Sequence, residues 1–394
     1  MPETIPDIPE ETVAHLAASP EEAYKRLQDG KLRSVIDVRI PGAAEDLPLH
    51  FGEDVDILVQ PFMTFPGAGE VAAQLPENET TLVVCATSRM AKAAAAALEG
   101  AGADVLYLVG GTRHWDQFMD VRVLRRQDGE AIIQVSRPGR GDLSYVIVAD
   151  GEAVVIDPLR KIETYQSLLA EEHASLAWVL DTHAHADHIS GGPALADWAG
   201  VPYYLHPYDA IHPVDMLPAV IPFDPLTDGQ ELSLRSVKGR VVWFPGHTLG
   251  MVMYSCRAAG AHLLLSGDGV FLDSIGRPDL GGKAEGWANL LYESVTQRLP
   301  AEAAGDTVIL PGHFSSFSTG REGDYSATYA EVRRQNSWLD AGERDDFLQR
   351  VLANLPYVPE EYIEMKRINA GLSEASEELA LELEAGPNLC AVSG

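Results

Sequence analysis

Four segments rich in histidine, aspartate and glycine are the parts of this chain best suited to chemistry. The densest runs over residues 182–188 and carries His183, His185, Asp187 and His188. Imidazole nitrogens and carboxylate oxygens are common ligands of zinc and iron. A lone histidine is usually a structural residue, whereas three histidines and an aspartate at this spacing favour a metal site.

The other three segments each place one candidate ligand beside a glycine. They are residues 245–248 with His247, residues 266–269 with Asp268, and residues 311–313 with His313. Glycine lets the backbone turn sharply without a side chain that would block a metal. Each Gly-His or Gly-Asp pair alone is weak support, because such pairs are common in loops. Taken in order, the four segments predict a metal centre.

Short apolar strands must position these ligands. The four segments follow predicted strands at residues 176–180, 241–244, 262–265 and 308–310. Side chains at the carboxyl ends of strands meet at one edge of a sheet, where α/β sites usually open. In extended backbone His183 and His185 point to the same side. We expect Asp187 and His188 to enter the next helix.

Cys85 is a second candidate for chemistry. It ends a strand predicted over residues 81–85 and precedes a helix predicted over residues 88–98. The sulfur would therefore face backbone amides at the positive end of the helix, which stabilise a thiolate or a persulfide. Arg89 would add positive charge. The plainer alternative is a small buried apolar residue, the commoner role of a lone cysteine.

The order of the predicted helices and strands changes near residue 130. Strands predicted at residues 34–38, 81–85 and 105–109 alternate with helices, which is typical of a parallel α/β sheet. The polar stretch 125–130 is predicted to be a linker. Beyond it, strands at 143–149 and 153–156 meet at Asp150-Gly151, a hairpin signal. We therefore expect two domains, over residues 1–125 and 131–394.

Composition disfavours several kinds of partner. The 394 residues include 59 acidic and 29 basic side chains, a formal net charge of −30. This charge repels phosphate backbones and anionic lipid, so neither nucleic acid nor a membrane is an expected partner. Three distant cysteines do not form a disulfide framework, and the N-terminus lacks a secretion signal. We expect a cytoplasmic protein; the oligomeric state stays open, with a homo-oligomer as one option.

The ordered ligand segments between about residues 131 and 370 resemble the metallo-β-lactamase superfamily. The resemblance implies an αββα sandwich with metals at one edge of its two sheets. In binuclear members the pattern assigns His183, His185 and His247 to one metal, Asp187, His188 and His313 to the other, and Asp268 to the bridge. All seven positions are filled, so the ligand count is compatible with a dizinc hydrolase.

Residues 276–282, Gly-Arg-Pro-Asp-Leu-Gly-Gly, resemble the signature of persulfide dioxygenases within that superfamily. The Gly-His-Glu-Tyr of glyoxalase II-type thioesterases is replaced by Gly-His-Phe-Ser at residues 312–315, and residues 365–369 resemble bacterial persulfide dioxygenases. The resemblance implies one Fe(II) held by His183, His247 and Asp268, with positions left open for substrate. The outer groups that orient the ligands would then be His185, Asp187, His188 and His313.

Arg277, within this signature, is the cation expected nearest the metal. Its planar guanidinium would bind a carboxylate of the substrate. The alternative is an internal ion pair with Asp279 that shapes the loop.

Residues 15–120 resemble a rhodanese domain, a sulfurtransferase that carries sulfur as a cysteine persulfide. The resemblance rests on Asp37-Val38-Arg39, on Ile40-Pro41-Gly42-Ala43, on the Cys85 loop, and on Leu108-Val109-Gly110-Gly111 with Trp115. Two features depart from the family pattern. The Gly-His that usually precedes Ile-Pro-Gly-Ala is missing with its spacer, and Met90 stands where many members have arginine.

Together the resemblances predict an α/β rhodanese-like domain, with a parallel sheet and flanking helices, followed by an αββα metallo-β-lactamase sandwich. The expected reaction is Fe(II)-dependent oxidation of a low-molecular-weight thiol persulfide, such as glutathione persulfide, by O2 to sulfite and free thiol. Sulfane sulfur would pass through Cys85. The alternatives are a dizinc thioesterase acting on acyl-glutathione and a rhodanese module that only binds persulfide or regulates. The thiol carrier stays open among glutathione, coenzyme A and bacillithiol.

Overall fold

The computed structural model describes residues 8–47, 49–52, 55–317, 322–385 and 388–393. The strands in these residues form three sheets, of five, seven and six strands. The strands are β1 (Ala17–Ala18), β2 (Leu32–Asp37), β3 (Asp56–Val59), β4 (Thr80–Val84), β5 (Val105–Leu108), β6 (Asp120–Gln127), β7 (Glu130–Arg137), β8 (Asp142–Ala149), β9 (Glu152–Ile156), β10 (Ser175–Leu180), β11 (Tyr203–Leu205), β12 (Asp224–Pro225), β13 (Glu231–Leu234), β14 (Val237–Trp243), β15 (Val252–Ala258), β16 (Ala261–Gly267), β17 (Val308–Pro311) and β18 (Ala327–Thr328).

The helices flank these sheets and fill the C-terminal part of the chain. They are α1 (Glu10–Val13), α2 (Pro20–Gln28), α3 (Ala43–Asp46), α4 (Ala68–Ala72), α5 (Arg89–Gly100), α6 (Gly111–Trp115), α7 (Ile162–Glu171), α8 (Gly192–Ala199), α9 (Ala284–Glu293), α10 (Leu299–Glu302), α11 (Tyr329–Gln335), α12 (Arg344–Ala353), α13 (Glu361–Asn369) and α14 (Glu377–Leu383), with a π-helical turn at Ser294–Arg298. None of the described helices is long and apolar enough to cross a lipid bilayer.

The N-terminal module contains β1 to β5 and is built on a parallel sheet. Its strand order is β1-β5-β4-β2-β3, and every pairing is parallel. Leu27 of α2 packs in the core on one face, and Leu98 of α5 packs in the core on the other. Because both faces are covered, the strands are apolar along most of their length, as a parallel sheet requires. The parallel α/β sheet predicted from the sequence is confirmed.

The C-terminal module is a sandwich of the two larger sheets with helices on both outer faces. Ile147 of β8 and Leu265 of β16 share the core between the sheets. Leu168 of α7 packs on the outer face of the seven-stranded sheet, and Leu291 of α9 packs on the outer face of the six-stranded sheet. The expected αββα arrangement is therefore present. The hairpin at Asp150-Gly151 also forms, with both residues at positive φ.

The linker predicted over residues 125–130 is wrong. Strand β6 runs to Gln127 and pairs antiparallel with β7 at the edge of the seven-stranded sheet. Asp128 and Gly129 form the turn, with φ of 51° and 83°. An Asp-Gly pair between two strands is a hairpin signal, and here it closes a hairpin where a linker was expected.

The two modules share one hydrophobic core. Tyr24 and Trp115 of the N-terminal module belong to the same buried cluster as Tyr145 and Tyr325 of the C-terminal module. The hydroxyls of Tyr24 and Tyr325 lie 3.2 Å apart, and Arg137 Nε donates to the carbonyl of Asp116. Continuous packing of this kind fixes the two modules relative to each other.

A close approach between the start of α6 and the Cys85 loop depends on a glycine. At Gly111, with φ of +63°, an added Cβ would lie 2.1 Å from the carbonyl oxygen of Cys85. At Gly102, with φ of +93°, an added Cβ would have no neighbour within 4 Å. Alanine at position 102 would therefore add backbone strain alone, whereas alanine at position 111 would add both backbone strain and steric overlap.

We predict that Gly111→Ala destabilises the protein much more than Gly102→Ala. Both substitutions place a Cβ in left-handed backbone, at a cost of about 1–2 kcal/mol, and only Gly111→Ala adds overpacking, worth about 1–3 kcal/mol more. Denaturant unfolding followed by circular dichroism measures both losses. Equal losses would contradict the close approach of Gly111 to the Cys85 loop.

Candidate metal centre

The candidate ligands lie in four loops at one edge of the sandwich. His183 follows β10 of the seven-stranded sheet. His247, Asp268 and His313 follow β14, β16 and β17 of the six-stranded sheet. The site therefore sits where the two sheets meet, and each ligand leaves the carboxyl end of a strand as the sequence predicts.

Three of these side chains form a compact group of donor atoms. His183 Nε2 and His247 Nε2 lie 3.7 and 3.5 Å from Asp268 Oδ2. All three residues are fully buried, and none of the three atoms has a hydrogen-bond partner. Buried polar atoms are rarely left unsatisfied, because each costs free energy. Two imidazole nitrogens and a carboxylate oxygen facing one point are a fitting donor set for a metal ion.

The hydrogen bonds behind these histidines leave Nε2 with its lone pair. Thr182 Oγ1 donates to Asp157 and therefore accepts from His183 Nδ1, 3.0 Å away. His247 Nδ1 donates to the carbonyl of Arg277 at 3.0 Å. In both rings the proton is thus assigned to Nδ1 by the network. Burial lowers the pKa of both imidazoles, which keeps them neutral and able to ligate.

A second group of donors lies beside the first. His313 Nε2 is 3.1 Å from Asp268 Oδ1 and 3.3 Å from Asp187 Oδ2. His188 Nδ1 is 3.2 Å from Asp187 Oδ2. The amide of Asn388 donates to Asp187 Oδ2 and lies 3.1 Å from His313 Nδ1. Asp187 Oδ1 and His188 Nε2 have no partner, so this position is only partly satisfied by protein contacts.

His185 is held away from the first group by a carboxylate. Its Nε2 lies 3.1 Å from Asp157 Oδ1 and 4.0 Å from Asp181 Oδ1. Burial opposes the charged form, but Asp157 and Asp181 raise the pKa of His185 to about 9. Its Nδ1 has no partner and groups with Asp187 and His188. The structure thus brings all seven predicted residues into one buried cluster.

Two family models cover most of the chain. The model described as the metallo-beta-lactamase superfamily matches residues 137–313, and the model described as a rhodanese-like domain matches residues 19–118. An uncharacterized protein of Mycobacterium leprae, ML0493, is 34% identical over 194 residues, which cover 44% of this chain and 86% of that protein. The chain belongs to the metallo-β-lactamase superfamily. Its N-terminal module is a rhodanese-like domain.

Other similar proteins carry different names. A hydroxyacylglutathione hydrolase of Hahella chejuensis is 32% identical over 173 residues, which cover 43% of this chain and 60% of that protein. A metallo-beta-lactamase of Staphylococcus aureus has a solved structure with a TM-score of 0.53, 23% identity, and coverage of 64% and 72% of the two chains. ETHE1 of Myxococcus xanthus has a TM-score of 0.49, 23% identity, and coverage of 61% and 98%.

The metallo-β-lactamase domain departs from the sequence prediction in the backbone after His185. Asp187 and His188 lie in a loop, and helix α8 begins only at Gly192. The expectation that they enter a helix is wrong because other residues fix this loop. Asn369 Nδ2 donates to the carbonyls of His185 and His188, and the carboxylate of Glu384 accepts from the amide of Ile189.

Arg277 does not face the metal ligands with a free guanidinium. Its Nε and Nη2 donate to the carboxylate of Asp279, and its remaining N–H groups reach the backbone carbonyls of Pro356, Tyr357 and Leu389. The side chain is fully buried. The structure therefore has the internal ion pair that was the alternative, and contact with a substrate carboxylate would require breaking these bonds.

Sequence reasoning missed the residues that close the site from the C-terminal end of the chain. Cys390 groups with Asp187, Asp268 and His313, with one ligand atom of each within 4.8 Å of the others. Burial raises the pKa of its thiol well above the usual value. The residues from this part of the chain are Lys366, Asn369, Glu384, Asn388 and Cys390. Lys366 and Asn369 lie in the 365–369 segment that the resemblance singled out without giving them a role, and no periodicity or spacing linked any of the five to the ligand segments.

In the rhodanese-like domain, Cys85 sits at the N-terminus of α5 as predicted. Its sulfur is buried and accepts a hydrogen bond from the amide of Ala91 at 3.2 Å. Ser88, at φ of 70°, turns the loop into the helix. Arg89 is exposed, and none of the contacts found among the described residues joins it to the sulfur. The helix amide, and not Arg89, is therefore the donor nearest the thiol in this structure.

We predict that His183→Ala, His247→Ala and Asp268→Ala each remove most of the bound metal. Each substitution deletes one atom of the unpartnered triad, whereas His185→Ala, which deletes an outer group, weakens affinity by about 10–100-fold. Elemental analysis after dialysis measures the metal, and His15→Ala on the surface is the control. Full metal retention by Asp268→Ala would contradict the assigned triad.

We predict that Asn388→Ala increases the uptake of a second divalent cation. The substitution removes the amide that contacts Asp187 and His313, which frees two ligands of the second position. Zinc titration by calorimetry measures the stoichiometry, and Asn289→Ala, an exposed change on α9, is the matched control. Identical stoichiometry in both variants would show that Asn388 does not block that position.

Proposed function

We propose that this protein oxidises a low-molecular-weight thiol persulfide with O2, giving sulfite and the free thiol. The balanced reaction is RSSH + O2 + H2O → RSH + HSO3⁻ + H⁺. The outer sulfur is oxidised and O2 is reduced, so no further oxidant is needed. Glutathione persulfide is the substrate form we expect.

The observation that carries this proposal is the difference between the two metal positions. The three facing atoms His183 Nε2, His247 Nε2 and Asp268 Oδ2 have no hydrogen-bond partner. At the neighbouring position, Asp187 and His313 already contact the amide of Asn388. A single metal held by two imidazoles and one carboxylate leaves several coordination positions open, which suits a reaction with two substrates. The Gly276–Asp279 signature supports the same assignment.

Iron(II) held by this triad would supply the redox chemistry, since zinc has no accessible second oxidation state. The protein residues position the ligands and keep water away. Thr182 and the carbonyl of Arg277 fix the two imidazole rings. Buried Phe244 and Met251 belong to the apolar cluster that packs behind the loops carrying His247 and Asp268. These residues would hold a metal in a low-dielectric pocket whose ligands are already oriented.

The rhodanese-like domain would exchange sulfane sulfur on Cys85. In the first step the Cys85 thiolate attacks the outer sulfur of a donor such as thiosulfate, and sulfite leaves with the electron pair of the broken S–S bond. The amide of Ala91 and the N-terminal end of α5 stabilise the anionic sulfur. Arg89 and Met90 do not supply the cation that many family members have, so transfer relies on backbone donors.

A dizinc thioesterase acting on acyl-glutathione is the second candidate. Asp187 Oδ1 and His188 Nε2 have no hydrogen-bond partner and would be available to a second cation. Similarity to a hydroxyacylglutathione hydrolase favours the same reading. In that case the rhodanese-like domain would bind persulfide or regulate, and two metals would activate a water molecule.

We predict that protein purified without added metal contains about one iron per chain, as the mononuclear facial triad requires, and consumes O2 with glutathione persulfide. The rate of O2 uptake should fall to background in Asp268→Ala and should equal the wild-type rate in the surface control His15→Ala. An oxygen electrode and elemental analysis provide the measurements. Two zinc ions per chain, thioester hydrolysis and no oxygen uptake would instead establish the thioesterase.

A further inference from the structure

Two cavities lie between the rhodanese-like domain and the metal centre. The larger, about 780 Å³, is lined by Ala86 and Met90 of the Cys85 loop and by Leu381 and Ala385 at the C-terminal end of the chain. The smaller, about 390 Å³, is lined by His313 and Asn388 of the metal centre. The larger volume is within the usual range for pockets that bind small organic molecules.

His50 lines both cavities. Its Nε2 is buried and has no hydrogen-bond partner, which is unusual for a buried polar atom. Burial lowers the pKa of the ring to about 4, so the imidazole is neutral near pH 7. The carbonyl of His50 accepts from Trp115 Nε1 at 3.0 Å, which fixes the backbone at this point.

The walls around His50 come from both domains and are anchored. Arg140 lines the smaller cavity and donates to the carbonyl of Glu384. Ala385, the next residue, lines the larger cavity. At Gly141 an added Cβ would lie 3.7 Å from His50 Nε2 and 2.3 Å from the carbonyl oxygen of Phe314. The two cavities therefore come together at His50, and the contacts above hold the surrounding backbone in place.

We propose that these two cavities form an internal route, joined at His50, along which a small organic persulfide passes from Cys85 to the metal centre. This inference rests on the proposed function. The unpartnered Nε2 gives the passing molecule one hydrogen bond at the residue that both cavities share. The larger cavity holds the thiol carrier, and the smaller one delivers the persulfide to the side of the site formed by His313 and Asn388.

The transfer that starts the route balances without an added oxidant. A persulfide on Cys85 would carry its outer sulfur about 2 Å beyond Sγ, and Ala86, the next residue in the chain, lines the larger cavity. The thiolate of the carrier attacks this outer sulfur, and a new S–S bond forms in the carrier persulfide. The S–S bond to Cys85 breaks, and its electron pair returns to Sγ as a thiolate.

The route is tested by the time course of oxygen uptake when thiosulfate and glutathione are the added substrates. If the persulfide passes internally, uptake starts without a lag at every protein concentration. An equal mixture of Cys85→Ser and Asp268→Ala must release the persulfide into solution, so its lag lengthens about tenfold on tenfold dilution, because the second step is bimolecular. His50→Trp, which fills the junction, should give the single chain the same lag as the mixture.

Two further variants and two separate assays keep the outcomes distinct. His15→Trp adds the same side chain on the surface and should show no lag. Ala385→Trp narrows the larger cavity near the junction. It is the variant that tests the route if His50→Trp does not fold. Sulfur transfer from thiosulfate to cyanide and oxygen uptake with added glutathione persulfide report on each site by itself. Absence of either activity in the wild type overturns the proposed function.

With both activities present, the route is overturned by a concentration-dependent lag in the wild type. It is also overturned if folded His50→Trp and Ala385→Trp both start without a lag. A lag confined to these two variants and the mixture, with each separate activity retained in the wild type and in His15→Trp, is the result that supports it.

Discussion

Three buried atoms without hydrogen-bond partners are the constraint around which the C-terminal domain is organised. His183 Nε2 and His247 Nε2 both lie within 4 Å of Asp268 Oδ2 at the edge of the sandwich. Leaving one such atom unsatisfied costs about 1–3 kcal/mol, so an apo protein would carry a considerable penalty here. A cation removes the penalty. Metal binding and stability of this edge are therefore coupled.

The network around the ligands is as specific as the ligands. The Asp157 carboxylate accepts from Thr182 and lies 3.1 Å from His185, so one buried anion orients two residues of the 182–188 loop. Residues 388–393 close the site: the amide of Arg277 donates to the carbonyl of Cys390. Arg277 holds this segment through the carbonyl of Leu389. A buried arginine whose N–H groups are all hydrogen-bonded stiffens a loop, and removing one of its partners would lower the stability of the protein.

The two domains are joined by packing and not by a flexible connection. Strand β6, which follows the rhodanese-like domain directly, is already part of the large sheet of the sandwich. Aromatic rings from both sides meet in one core, including Phe51 stacked on Trp115 and Phe314 stacked on Tyr325. Leu381 of helix α14 and Ala86 of the Cys85 loop line the same cavity. The pocket beside Cys85 is thus made by both domains.

Features that depend on local pattern could be predicted from the amino-acid sequence. Apolar strands ending in Thr182-His183, Gly246-His247, Gly267-Asp268 and Gly312-His313 predicted the candidate ligands, because the carboxyl ends of strands gather at one edge whatever the details of packing. The alternation of strands and helices identified the parallel sheet, and Asp150-Gly151 identified a hairpin. Cys85 before a helix identified a sulfur facing backbone amides.

Features that depend on residues distant in the chain could not be predicted from local pattern. Asp128-Gly129 is a turn and not a linker because β6 and β7, on either side of it, pair as antiparallel strands. Asn388 and Cys390 reach the metal centre because the chain returns across the sandwich, and no periodic pattern encodes such a return. The role of Arg277 was fixed in the same way, since its carbonyl acceptors lie about 80 to 110 residues away in sequence. Local sequence specifies strands, turns and ligand types, whereas the partners of a buried polar group are set by which segments the fold brings together.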